Sequence, residues 1–363
     1  MSMLERRLYF HFDWALIAAI AALCAIGLAM IFSTTGGATR LYWTQIYAIV
    51  IGLMIMVAAV AIDYRSLADK SHLLYIGFIL ALVAVMLVGS RQMGAQRWLN
   101  LGFFNLQPSE FGKAVLALVL AKMLGESRRP ALTNNELFLA CVLTAIPLLL
   151  IARQPDLGTA VTLLPVLLVV TFAAGLPLKY LGAIAVIGVL SAPVAWQFAL
   201  EDYQKERIET FLDPAQDPRG AGYQQIQARI TVGSGGLWGK GFREGTQGQL
   251  RFLPVAHNDF IFSVLAEEQG FVGVIAVLGL YLFVIVRSLE AAKLAKDRLG
   301  AYLVLGVLAT FTFQVIYNIT MSAGLAPVKG LTLPLMSYGG SSMIATLAGF
   351  GLILNVRMRR FTN

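Results

Sequence analysis

The segment LPVAHNDFIFSVLAEEQG, residues 253–270, sets one carboxylate, Asp259, directly before Phe260, Ile261 and Phe262, where a polar stretch gives way to an apolar one. A carboxylate at such a boundary is partly desolvated, which raises its pKa toward the range of a general base. The same residue at the same place also suits a helix N-cap, and the spacing leaves both readings open. His257, two residues earlier, is a supporting candidate. Glu267 and Glu268 follow two turns deeper, where a carboxylate inside an apolar run is a functional candidate. Alternatively, that helix starts in an outer cavity and meets lipid only near Phe271.

Three further segments gather ionisable groups. In RWLNLGFFNLQPSEFGK, residues 97–113, Pro108 marks a helix start, and Glu110 and Lys113, three apart, share a face. The pair either neutralises itself or, with Arg97, holds a phosphate. Trp98, Phe103 and Phe104 fit an interfacial aromatic belt or a stacking surface for a sugar. In ARQPDLGT, residues 152–159, Asp156 reads as an N-cap and Arg153 as an anion-binding cation. In KGLTLPLMSYGGSS, residues 329–342, Ser337, Gly339 and Gly340 allow close backbone approach and leave N–H groups for an anion, with Lys329 beside them. A tightly packed helix start would look the same.

The elements that position these groups follow from composition. Of 363 residues, 58% are hydrophobic and 13% charged, against about 25% charged in soluble domains, and mean hydropathy is +0.73. Such a chain is an all-α polytopic membrane protein, not a soluble enzyme. Apolar runs predict ten spans, near 14–33, 42–62, 72–89, 109–124, 137–152, 157–175, 178–197, 260–286, 300–322 and 337–356. The first run is already span-length and more follow, so no cleavable signal peptide is expected.

With the N-terminus inside, fifteen Lys and Arg fall on inner segments; only Arg40, Arg91, Arg97, Arg153 and Lys329 fall on short outer loops. Both termini are therefore expected in the cytoplasm. The chain reads as one membrane domain, 1–363, with residues 198–258 an extracytoplasmic loop between spans seven and eight. That insert balances seven basic against seven acidic residues, so the net charge of +8 reports membrane orientation and not a nucleic-acid partner. Its glycines, in GAGY, GSGGLWGKG and GTQGQ, are interleaved with Phe211, Tyr223, Ile226, Ile230, Leu237, Trp238 and Phe242. A solvated linker needs no such apolar content, so the insert reads as folded or membrane-dipping.

Cys24 and Cys141 lie in apolar runs and only three His exist, which disfavours a disulfide framework or a His metal site. There is no P-loop and no HExxH, and no matched pair of interrupted spans marks an inverted-repeat transporter. Cations and carboxylates converging on the outer rim point to an anionic lipid or solute handled from outside, by reaction or by transport.

In order along the chain, GAGYQQIQARITVGSGGLWGKGF, GTQGQLRFLP, HNDFIFSVLAEEQG and LPLMSYGGSS resemble the SEDS family (shape, elongation, division and sporulation). GTQGQLRFLP and the short tails are closer to its rod-shape branch than to its division branch. The resemblance implies a peptidoglycan glycosyltransferase of the bacterial cytoplasmic membrane that polymerises lipid II outside the cell during elongation. It implies a class B penicillin-binding protein, a transpeptidase, as partner, within the elongation machinery, and undecaprenyl diphosphate as leaving group.

The family's essential aspartate falls on Asp259, its R-W-L tryptophan on Trp98, and the Glu and Lys of its P-S-E-x-x-K motif on Glu110 and Lys113. Val255 and Asn258 stand where members usually read Glu and Thr, and Lys329 where they carry a small or apolar residue. On this resemblance Asp259 is the general base, and Arg97, Lys113 and Arg153 stabilise the departing diphosphate. A divalent cation could share that task, though no ligand cluster specifies one. A lipid II flippase, or a scaffold that only positions the crosslinking enzyme, are the alternatives.

Overall fold

Without water in a bilayer core, backbone N–H and C=O groups must pair within the segment, so uncharged runs fold as helices. The computed structural model describes residues 12–92, 95–100, 105–127, 132–177, isolated positions between 179 and 197, then 202–217, 220–250 and 252–361. Its helices are α1 (Trp14–Thr34), α2 (Arg40–Ala61), α3 (Tyr64–Asp69), α4 (Ser71–Val88), α5 (Pro108–Gly125), α6 (Asn134–Ala152), α7 (Leu157–Val161), α8 (Leu163–Ala173), α9 (Asp202–Leu212), α10 (Ala221–Ser234), α11 (Thr246–Gln249), α12 (Ile261–Lys293), α13 (Arg298–Ser322) and α14 (Gly340–Met358). Among the described residues, α1, α2, α4, α6, α12, α13 and α14 are long and apolar enough to cross a membrane.

The remaining predicted spans differ in kind. The run near 109–124 is α5, a helix that carries Glu110, Lys113 and Lys122. The run near 157–175 is divided at Thr162 into α7 and α8. Most of 178–197 lies outside the described residues. The fold is also not purely helical: β1 (Ser90–Gln92), β2 (Ala95–Asn100) and β3 (Asn105–Leu106) form a small antiparallel sheet, with Ser90 opposite Trp98 and Leu99 opposite Leu106. A connection of this length satisfies its backbone most simply by pairing with itself.

Two antiparallel helices define the ends of the bundle. At one end Ser33 of α1 donates to Glu268 of α12. At the other, Asp13, which caps α1, pairs with Arg287 of α12 at 2.9 Å and Arg357 of α14 at 2.8 Å. Between them α14 packs along α2, and α13 along α5, α8 and α12. Their shared core includes the edge-on pair Phe311 and Phe350, with ring centroids 5.0 Å apart. The insert is folded, as its apolar content requires, into α9, α10 and α11. A separate apolar cluster of Ala228, Leu253, Ala256, Phe260, Val264 and Met321 joins α10 to the start of α12 and the end of α13.

Candidate functional site

That cluster fixes the place of Asp259. Leu253, Ala256 and Phe260 are buried in it, so the intervening turn is held on both sides. The N–H groups of Asn258 and Asp259 both donate to the carbonyl of Val255. Val255 adopts φ +52, a left-handed conformation that costs a β-branched residue roughly 1–2 kcal/mol. Strain of this kind persists where surrounding structure over-determines it, often at functional sites. The cap of α12 is Phe260, which lends no side-chain hydrogen bond, so Asp259 caps nothing.

Its surroundings instead leave the carboxylate unquenched. Oδ1 is buried and has no hydrogen-bond partner among the described residues. Gly330, at φ +62, brings its backbone so close that a Cβ there would lie 3.6 Å from Oδ2. Asn318 Nδ2 donates to the carbonyls of Asp259, at 2.9 Å, and Leu331, at 2.7 Å, clamping the 329–331 loop against the turn. Burial pushes the Asp259 carboxyl up to about 6, against the opposing pull of the Arg207 guanidinium. Arg207, on α9, also donates to Val328 O at 3.2 Å. Burial and Arg207 together hold the half-buried Lys329 ammonium below its usual range. Sequence reading missed Arg207, which lies more than fifty residues from Asp259 in a charge-balanced segment.

The 329–342 segment lies against this turn. Tyr338 N donates to His257 O at 2.9 Å, and the two rings meet edge-on at 5.6 Å. Burial lowers the His257 imidazole. Gln45 of α2 donates to Ser337 O and accepts from Gly339 N, each at 3.1 Å, so the Gly339 N–H is occupied by protein. Ser337 Oγ accepts from Leu333 N. Gly339 caps α14 and Gly340 begins it.

Asp156 is a second hub. It caps α7 through Thr159 N, accepts from Gln107 Nε2 at 2.9 Å and pairs with Arg97 at 3.7 Å; burial raises its carboxyl. Arg97 also donates to the carbonyls of Gln154 and Pro155. Gln107 N in turn donates to Ser341 Oγ, and a Cβ on Gly158 would come within 2.8 Å of Lys329 O. Arg97 and the segments around 105–107, 154–158 and 329–341 therefore form one surface. Trp98 lies half-buried in β2, its carbonyl accepting from Ser90 Oγ. Arg153 is exposed at the end of α6; Phe103 and Phe104 lie outside the described residues.

Glu110 and Lys113 form a buried pair at 2.7 Å, and Lys113 also donates to Gln314 Oε1 at 3.2 Å. They line a cavity of about 30 Å³ with Thr310, Gln314 and Thr346, enough for one water. Gln314 and Asn318 are four apart on α13 and so share a face. One helix thus touches both the Glu110–Lys113 pair and the Asp259 turn.

Glu267 and Glu268 are buried; Glu268 accepts from Ser33 at Oε1, while its Oε2 has no hydrogen-bond partner among the described residues. Glu267 accepts from Lys240 Nζ at 2.6 Å, Gln247 N at 3.1 Å, Thr246 Oγ1 at 3.2 Å, and more distantly from Gly248 N and Ser234 Oγ. These contacts pin the glycine-rich stretch of the insert onto α12, while Ser33 on Glu268 ties α1 to the same turn.

Comparison with known proteins agrees with this architecture. The profile of the FtsW, RodA and SpoVE cell cycle proteins matches residues 10–361. The peptidoglycan glycosyltransferase MrdB of Escherichia coli (strain K12) is 41% identical over 350 residues, covering 96% of this chain and 94% of MrdB. A solved peptidoglycan synthase complex, described as coordinating polymerization and crosslinking, contains a chain 35% identical with TM-score 0.85, covering 97% of this chain and 99% of that one. The crystal structure of the Thermus thermophilus rod shape determining protein RodA is 33% identical with TM-score 0.74, over 97% of this chain and 98% of RodA.

Proposed function

The chain belongs to the FtsW, RodA and SpoVE family of cell cycle proteins, the SEDS family, as a multi-pass membrane peptidoglycan glycosyltransferase, and on that premise we propose that it polymerises lipid II with Asp259 as general base. Ten spans carry it, with both termini in the cytoplasm and the 198–258 insert outside, so that the Asp259 turn faces the outer surface. The observation that carries the reading is the Asp259 carboxylate, which has a buried Oδ1 and accepts no hydrogen bond among the described residues.

Asp259 takes the proton from the 4-hydroxyl of an acceptor GlcNAc as that oxygen attacks C1 of the donor MurNAc. The bond from C1 to the diphosphate oxygen breaks, undecaprenyl diphosphate leaves and the anomeric configuration inverts. A carboxyl titrating near 6 is matched to this work at neutral pH. Negative charge develops on the departing diphosphate, so cations aimed there lower the barrier. Arg207, whose charge acts on the carboxylate, is placed for that role, with Lys329 in the loop that packs on the same turn. Arg153, exposed at the rim, serves the incoming anion. Arg97, bonded to the 154–156 segment, orders the rim, and Lys113, bonded to Glu110 and Gln314, acts on the site through α13. Trp98 offers the sugar a stacking face, while Ser337, Gly339 and Gly340 shape the opposite wall. Asp156, His257, Glu267 and Glu268 hold these segments in register. One carboxylate beside a guanidinium is a poor donor set for a resident divalent cation.

A class B penicillin-binding protein of the elongation machinery crosslinks the product; the complex to which this chain is similar supports that partnership. Purified full-length chain given lipid II, with and without such a partner, is expected to yield glycan strands on a gel. Lipid translocation in vesicles without strand formation overturns the reading in favour of a flippase, the absence of both in favour of a scaffold, and strands made at full rate by Asp259→Asn overturn the assignment of the base.

A further inference from the structure

The glycine-rich stretch of the insert lies directly on the backbone of α12. Phe271 N donates to Gly236 O at 2.9 Å and Val272 N to Leu237 O at 3.2 Å. Lys240 N and Gly241 N donate to the carbonyls of Glu267 and Glu268 at 2.9 and 3.0 Å. Gly270, at φ +64, interrupts the helix at this contact. A Cβ on Gly235, Gly239 or Gly270 would overlap backbone of the other element. The pattern of burial changes at the same place: residues 261–268 are buried, whereas Phe271, Val272 and Ile275 are 57%, 49% and 50% exposed. An apolar helix in a membrane protein presents such a face to lipid.

The loop carries that face onward. Leu237 is 65% exposed, Trp238 79% and Phe242 46%, and none of the contacts of the glycosyltransferase site uses them. Arg243 follows, exposed, with its guanidinium 5.4 Å from the Phe32 ring centroid. An indole among aliphatic side chains with an arginine at its border is the composition of a membrane-interface anchor.

We propose that Leu237, Trp238 and Phe242 form a lipid anchor, inserted at the boundary of headgroups and acyl chains of the outer leaflet as a continuation of the Phe271 and Val272 face. Its occupant is lipid, because the edge is hydrogen-bonded to a helix surface that lipid covers already. Arg243 stands at headgroup level, where it meets anionic phosphates. The anchor braces the insert against the bilayer at Gly270, and through it the buried first turns of α12 that follow Asp259. The proposal rests on the membrane topology and not on the chemistry assigned to Asp259.

The test uses the full chain with Cys24→Ala and Cys141→Ser, reconstituted in phosphatidylcholine and phosphatidylglycerol vesicles, carrying a nitroxide at Trp238→Cys. Collisional accessibility is expected to favour oxygen over a water-soluble nickel chelate, as at Phe271→Cys and opposite to Glu244→Cys. A label at 238 as open to nickel as at 244 overturns the anchor. So does a label shielded from both reagents, which would mean that protein covers the edge. Should the cysteine replacements impair folding, brominated lipids quench tryptophan emission in the chain with native cysteines. Trp238→Phe is then expected to remove part of the quenchable signal, and an unchanged quenchable signal overturns the proposal. Neither readout depends on turnover, so strand formation from lipid II in the same vesicles scores the catalytic reading separately.

Discussion

Asp259 and Glu267 stand eight residues apart where α12 begins, and their surroundings are opposite. Asp259 has a buried oxygen with no partner among the described residues; Glu267, fully buried, is surrounded by donors from the insert. A buried charge is costly unless paired and hydrogen-bonded. A saturated carboxylate therefore reads as architecture. One left unsatisfied has its charge destabilised until a proton or a substrate arrives, and this is the condition of a base in waiting. The comparison separates two residues that the sequence offers as candidates, Asp259 for catalysis and Glu267 for support.

The sharpest way to break it is Asp259→Asn, which keeps the volume and removes the base. Strand formation from lipid II is expected to fall on the order of 10²–10⁴-fold with no loss of thermal stability, since no native partner is abandoned. Full activity, or a marked drop in melting temperature, would place Asp259 with Glu267. The converse is Glu267→Gln. It strands Lys240 and weakens the bonds to the 246–248 backbone, and an unsatisfied buried group costs about 1–3 kcal/mol. A lower melting temperature and faster proteolysis between 235 and 250 are expected, with activity falling only as far as folded protein does.

The pH profile sharpens the comparison further. Because burial raises the folded carboxyl of Asp259 to about 6, the rate should rise with pH through that region as the base form is populated. Arg207 opposes the shift, so Arg207→Ala should move the rising limb to higher pH and raise the apparent KM for lipid II. A limb that stays in place would sever Arg207 from the site. The smallest effect is expected at the turn itself. Val255→Asn, a residue that tolerates positive φ, should raise stability by about 1 kcal/mol in a thermal melt, leaving the position of the limb unchanged.

Much of this molecule was legible in its residues. The apolar runs located the long helices, Pro108 the start of α5, and the i,i+3 spacing the Glu110–Lys113 pair. Asp156 was readable as a cap because a cap answers to N–H groups within three residues. Asp259 was readable as either cap or base, and no local rule could decide. The small sheet at 90–106 was not foreseen, nor the division of the 157–175 run at Thr162, because short strands and breaks carry little periodicity.

What the sequence by itself determined, then, is what is set within about one turn of chain: which long segments are apolar enough to cross a membrane, where the basic residues fall along the chain, and which few ionisable groups stand at the borders of the apolar runs. Tertiary structure decided which of those groups are quenched. The donors of Glu267 come from Ser234 to Gly248, the clamp on Asp259 from Asn318, and the cation that acts on its carboxylate from Arg207. A pKa is the sum of such through-space terms over burial, and they exist only once distant segments have been folded against one another.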